Sequence, residues 1–185
     1  MKGILFNLAE EVVEQAYGAD TWERIIDASQ VSGAYTTLGN YPDEEFSKII
    51  GGAVEVLGAS EAMVVSSIAE GALPLLSDRY PDFFSGHSSA RSFVLTLNEI
   101  IHPEVRKLYP GVDVPEFAFT DGGPDGELMV GYQSQRQLCA LAEGFIRGAA
   151  TRFGETVVIT HDKCMHRGDP SCQIGCTFTS QPGSL

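Results

Sequence analysis

The hydrophobic period of this chain changes at Pro110-Gly111, and that change restricts its fold more than any other feature. Before it, apolar residues recur at three- and four-residue spacing, the mark of helices that bury one face. Beyond it, Phe117 and Phe119 alternate with Glu116 and Ala118, and Leu128, Val130 and Tyr132 alternate with Glu127, Met129 and Gly131, the mark of half-buried strands. Gly122-Gly123-Pro124-Asp125-Gly126 predicts the turn of a hairpin. A helix over Gln135 to about Phe153 follows, then two more strands, roughly Glu155 to Thr160 and Ser171 to Phe178. Helices first, then a helix with a four-stranded antiparallel sheet, is an α+β arrangement. A helical lobe over about 1–60 is expected to pack on a helix-and-sheet lobe over about 61–180. Thr179 onward reads as frayed, with 181–185 as a flexible tail.

Within the helical portion, Val12, Val13 and Ala16 belong to a first helix that stops at Gly18. Asp20-Thr21-Trp22-Glu23 predicts a capping box opening a second. Asp43, Glu44 and Glu45 favour the first turn of a third, which buries Phe46, Ile49, Ile50, Val54 and Leu57 and ends at Gly58. Ser60 is placed to cap a fourth, Met63 to Glu70, closing at Gly71. A longer helix is expected from about Ser88 to Leu108, with His102 on the face of Leu95, Asn98 and Val105 and so aimed into apolar packing. Pro103 disfavours helical backbone at His102, and a kink or break is expected there.

A length of 185 residues suits a single domain, and charge narrows its partners. Twelve basic against twenty-five acidic residues give a net charge of −13 with no Lys/Arg cluster, which argues against nucleic acid or an anionic membrane and favours a basic protein surface. No apolar run reaches the length of a membrane span, and Glu10, Glu11 and Glu14 fall where a signal peptide would stay apolar, so a cytoplasmic location is expected. Four cysteines in a reducing compartment point to thiols or a metal before disulfides. His161-x-x-Cys164 and Cys172 suit tetrahedral zinc but supply only three ligands. Cys176 lies four strand residues from Cys172, roughly 13 Å at ~3.3 Å per residue, too far to share one ion. Cys139, on the helix expected against the sheet, is the better fourth.

Tyr132-x-Ser134-x-Arg136 brings a phenol, a hydroxyl and a guanidinium to the junction between the second strand and the next helix. Unpaired N–H groups at a helix start and a planar Arg fork suit a carboxylate or phosphate. There is no Walker-type loop and no Gly-x-Ser-x-Gly to suggest other chemistry. The triplet follows His102 and Pro115. Further signals are Met1-Lys2-Gly3, Tyr17-Gly18-x-Asp20-x-Trp22, the run from Leu97 through His102 to Lys107-Leu108-Tyr109-Pro110-Gly111, and Leu138-Cys139 with Ala142-Glu143-Gly144. In this order and spacing the chain resembles stand-alone bacterial members of the haem nitric oxide/oxygen-binding (H-NOX) family along most of its length.

The resemblance implies a sensor and not an enzyme, with a b-type haem held between the two lobes. His102 would ligate the iron, Tyr132, Ser134 and Arg136 would hold the propionates, and Pro115 would press on the porphyrin and bend it. Oxygen-binding members carry a tyrosine at the position of Leu141 and a tryptophan at that of Ala9. The resemblance therefore implies an apolar distal pocket lined by Leu5, Leu141 and Phe145 that takes nitric oxide and carbon monoxide and excludes oxygen. Nitric oxide would weaken or break the His102–iron bond, and the resulting shift would regulate a separate histidine kinase or cyclic-di-GMP enzyme. Members with a matching His-Asp-x-Cys-Met-His run also use the equivalents of Cys139, His161, Cys164 and Cys172 for zinc. A thiol/zinc redox sensor with haem secondary is the alternative, and a cofactor-free adaptor a third reading.

Overall fold

Glycine, proline and serine set many of the element ends in the computed structural model, which describes residues 1–122 and 126–180. Helix α1 (Gly3–Tyr17) meets α2 (Ala19–Ser29) at Gly18, whose φ of 89° residues with a β-carbon rarely adopt. The expected capping box at Asp20 does not form. Helix α2 already begins at Ala19 without a side-chain cap, so Asp20 sits inside the first turn, where its charge favours the helix dipole instead. Helix α3 (Asp43–Leu57) starts after Pro42 with three acids in its first turn and ends at left-handed Gly58. Ser60 Oγ accepts the Met63 N–H and opens α4 (Glu61–Arg79).

Helix α4 runs through Gly71 and Pro74, overturning the end expected at Gly71. Packing explains it. Helix α7 (Cys139–Arg152) crosses α4 so closely that a β-carbon at Gly144 would lie 2.2 Å from the Ser66 carbonyl oxygen, and one at Gly148 2.7 Å from that of Glu70. Gly71 in turn receives Val12 of α1, whose Cγ1 would be 2.8 Å from an added β-carbon. Tertiary contact of this kind outweighs the roughly 1 kcal/mol by which glycine disfavours a helix.

The stretch expected as one helix from Ser88 to Leu108 is three pieces: α5 (Ala90–Leu95), a π-turn over Leu97–Ile101, and α6 (His102–Leu108). Ser89 and Ser92 cap α5 reciprocally, a box hidden in the sequence because Ser92 stands where Glu or Gln is usual. In the π-turn both the Ile100 and Ile101 amides donate to the Thr96 carbonyl, so one residue is in excess and the helical phase slips just before His102. The break therefore precedes the one expected at Pro103. His102 keeps right-handed helical backbone (φ −65°, ψ −37°), and Pro103 lies in the first turn of α6, where a missing N–H is tolerated. Asn98 Nδ2 donates to the Phe117 carbonyl at 2.7 Å and pins the π-turn to the sheet.

That sheet is four-stranded and antiparallel, in the order β1 (Glu116–Asp121), β2 (Leu128–Gln133), β4 (Cys172–Ser180), β3 (Glu155–Lys163). Tyr132 pairs across to Cys172 and Val130 to Ile174. Thr179 and Ser180 pair with Thr156 and Glu155, so the strand continues where fraying was expected. Residues 123–125 of the hairpin turn and 181–185 of the expected tail lie outside the described residues. One apolar core joins Leu128, Val130 and Ile174 of the sheet to α5 and α7; a second gathers Phe6, Trp22, Ile25, Phe46 and Ile49 with Val64 and Ile68 of α4. No single helix among the described residues is long and apolar enough to cross a membrane.

Candidate functional site

Helices α1, α4, α5, α6 and α7 and strands β1 and β2 close around a cavity of about 280 Å³. One water needs roughly 10–15 Å³ of such space, so this is a chamber for a large ligand and not a packing defect. His102, Pro115, Tyr132, Ser134, Arg136, Leu5, Leu141 and Phe145 all line it, so the residues singled out for haem and gas in the sequence meet at one place.

His102 has an unusual environment. Its ring lies 5.6 Å from that of Phe117, and neither ring nitrogen hydrogen-bonds to a described residue. Burial, helped by the Arg106 charge, lowers its pKa from 6.5 to about 4, so at neutral pH the imidazole is uncharged and keeps a free lone pair. Because the folded value is depressed, the unfolded chain takes up the extra proton between pH 6.5 and about 4. This contribution to stability is therefore complete above that window, declines as pH falls through it and levels off below. We expect the ligand-free chain to lose on the order of 2–3 kcal/mol by this route, seen in urea unfolding across the window and flattened by His102→Leu.

Arg136 is not at a helix start. Helix α7 begins at Cys139, and residues 134–138 form a turn with Gln137 at a left-handed φ of 52°. The expected run of helix from Gln135 does not form: Ser134 Oγ accepts the Arg136 backbone N–H at 3.2 Å, but left-handed Gln137 interrupts the backbone and the helix begins only at Cys139. The guanidinium is engaged instead with two acids distant in sequence: Nε donates to Asp43 Oδ2 at 2.6 Å, and Nη1 to Asp113 Oδ2 at 3.0 Å. The amino terminus reaches the other Asp43 oxygen at 2.5 Å. Burial would push the Asp43 carboxyl up, but the bonds from the amino terminus and Arg136 outweigh it and hold it below the ordinary carboxylate range. Arg136 Nη2 has no partner among the described residues. Sequence spacing offers no signal for this cluster. The Tyr80 and Tyr109 hydroxyls, which also line the cavity, are likewise unheralded and bond to each other at 2.7 Å.

A second constellation lies beside the first. One ligand atom each from Cys139, His161, Cys164 and Cys172 fall within 4.8 Å of one another. A tetrahedral ion bonded to sulfur at about 2.3 Å would hold its sulfurs roughly 3.8 Å apart, and Cys139 Sγ lies 3.9 Å from Cys164 Sγ. All four cysteines of the chain are free. Burial, and then the neighbouring thiols, push the Cys139 pKa up, as burial does for Cys172, so without a cation these groups stay protonated. His161 Nδ1 is 2.5 Å from Glu143 Oε1, while Nε2 is buried with no hydrogen-bond partner. The donor set fits a metal, and Glu143 stands behind the imidazole as carboxylates do in such sites.

Residues 2–161 match the family described as haem-NO-binding. An H-NOX protein variant from S. oneidensis in the Fe(II) state is 27% identical and superposes with a TM-score of 0.90 over 100% of both chains. An H-NOX protein from S. oneidensis in the Fe(II)NO state is 28% identical, with a TM-score of 0.88 over 97% of this chain and 100% of that one. The H-NOX domain of Shewanella oneidensis in the Fe(II)CO state is 27% identical, with a TM-score of 0.86 over 98% and 100% of the two chains. No protein with a curated description matches the sequence. With the family matched over most of its length and the fold shared throughout, the chain belongs to the haem-NO-binding (H-NOX) family of gas-sensing domains, which are not enzymes.

Proposed function

We propose that the chain is a nitric oxide sensor in which His102 is the axial donor to a b-type haem. The observation that carries this reading is the His102 imidazole, uncharged, without a hydrogen-bond partner among the described residues and in the wall of an otherwise largely apolar chamber. A bound haem would supply ferrous iron able to take nitric oxide or carbon monoxide, and His102 would be the protein's own bond to that iron, the bond that nitric oxide would weaken. Arg136 holds the propionates with Tyr132 and Ser134, its Nη2, which has no partner among the described residues, being available to donate. Pro115 presses on the ring. Leu5, Leu141 and Phe145 offer no hydrogen-bond donor to a polarised ligand, and that is how oxygen is excluded.

Helix α6 is built to move when His102 is released. It has no fully buried residue between His102 and Leu108, and it is flanked by the π-turn and by left-handed Gly111. The shift passes to the helical lobe, about 1–60, against the remainder, about 61–180, and so to a separate histidine kinase or cyclic-di-GMP enzyme. The acidic surface, net −13, suits a basic docking face. Four free cysteines are consistent with a cytoplasmic setting. Absorption spectra of the reduced protein test the reading: we expect distinct nitric oxide and carbon monoxide complexes and no stable complex in air. A stable oxygen complex would overturn the exclusion argument, and absence of haem the whole reading.

The orphaned His161 Nε2 favours a second input at the Cys139, His161, Cys164 and Cys172 cluster, a zinc site that peroxide can oxidise and empty. Purified protein is expected to carry about one zinc per chain. Peroxide or Cys172→Ser should release it; a full complement of zinc in either case would sink this input.

A further inference from the structure

Lys2 is only 7% exposed and lines the large cavity, yet its side chain makes no hydrogen bond or ion pair with any described residue. Its backbone is fixed by a bridge to Asn40, and the Gly3 and Ile4 amides at the start of α1 are taken by the Gly39 and Thr37 carbonyls. The first amides of the helix are thus satisfied, while the Lys2 amino group has no partner among the described residues. Lysine is almost never buried without a counter-charge, because removing an ammonium from water is costly.

The charge of the other cations at the cavity is already balanced. Arg136 and the amino terminus face Asp43 and Asp113, two positive groups against two carboxylates, so that cluster is neutral as it stands. His102 adds no charge. A porphyrin with two propionates would bring two negative charges to a wall with no net positive charge apart from Lys2.

We infer that Lys2 is a further cofactor-binding residue, its ammonium donating to a propionate carboxylate of the bound porphyrin. This rests on the haem reading above. It is a charge-assisted hydrogen bond with a fixed cation, and it gives the first residues of α1 a direct hold on the ligand.

Fluorescence titration with iron-free protoporphyrin IX and with its dimethyl ester, on the full chain, tests the inference without involving iron or His102. Lys2→Met preserves the apolar stem, and Lys2→Gln serves as a second variant should the first fold poorly by circular dichroism. Either is expected to weaken binding of the diacid by roughly ten- to hundredfold, to leave the ester unchanged, and to be rescued by Lys2→Arg. Undiminished binding of the diacid, or equal loss for diacid and ester, overturns the inference while leaving the haem reading intact. A parent chain that binds neither porphyrin overturns both.

Discussion

Replacing His102 with glycine is expected to abolish the five-coordinate ferrous spectrum of the haem-loaded protein and to leave haem held only by its carboxylates and ring. Loss of a group that merely supports a metal ligand costs ten- to a hundredfold in retention, so loss of the ligand itself should cost at least about a hundredfold. The fold should survive. His102 is only partly buried, makes no hydrogen bond among the described residues and sits in the first turn of α6, where the change costs about 1 kcal/mol. Free imidazole should enter the vacated space and restore the parent spectrum. A glycine variant whose spectrum already equals the parent's, with native circular dichroism, would remove His102 from the site.

Gly144→Val should be strongly damaging although it lies away from the cavity. A β-carbon there would stand 2.2 Å from the Ser66 carbonyl oxygen and 2.7 Å from Ala69 Cβ, and the first of these is backbone that cannot swing aside. Separating α4 from α7 to relieve the clash would open contacts along both helices. Overpacking typically costs 1–3 kcal/mol, and for a domain of this size about 3 kcal/mol lowers the melting temperature by roughly 6–12 °C. Gly51→Ala supplies the control. Its added β-carbon meets nothing within 4 Å on the exposed face of α3, and it should stabilise by about 0.5–1 kcal/mol. Equal melting temperatures for the two variants would refute the account of this crossing.

Features with a local cause were legible in the sequence. Alternating apolar residues gave the strands, and acids after Pro42 and a glycine at 58 bounded α3, because each acts within one turn of itself. Eight of the residues that line the cavity, His102 and the Tyr132-Ser134-Arg136 triplet among them, were legible through family spacing, whereas Tyr80 and Tyr109 were not. Features with a distant cause were not. Helix α4 continues past Gly71 because α1 and α7 lean on it, and nothing near residue 71 announces that. Arg136 meets Asp43 from 93 residues away, and in place of the helix start expected at Gln135 the chain turns through left-handed Gln137. Lys2 could be read as the start of a familiar motif, but its burial follows from how α1 is docked.

The surplus residue in the π-turn has a mechanical consequence. Helix α5 is anchored through buried Ala90, Phe93 and Val94, whereas the turn that follows buries only Ile101 and is tied to β1 through Asn98. A twist started at the imidazole is expected to be taken up at this turn before it reaches the anchored segment, and to pass through Asn98 to Phe117 of the sheet.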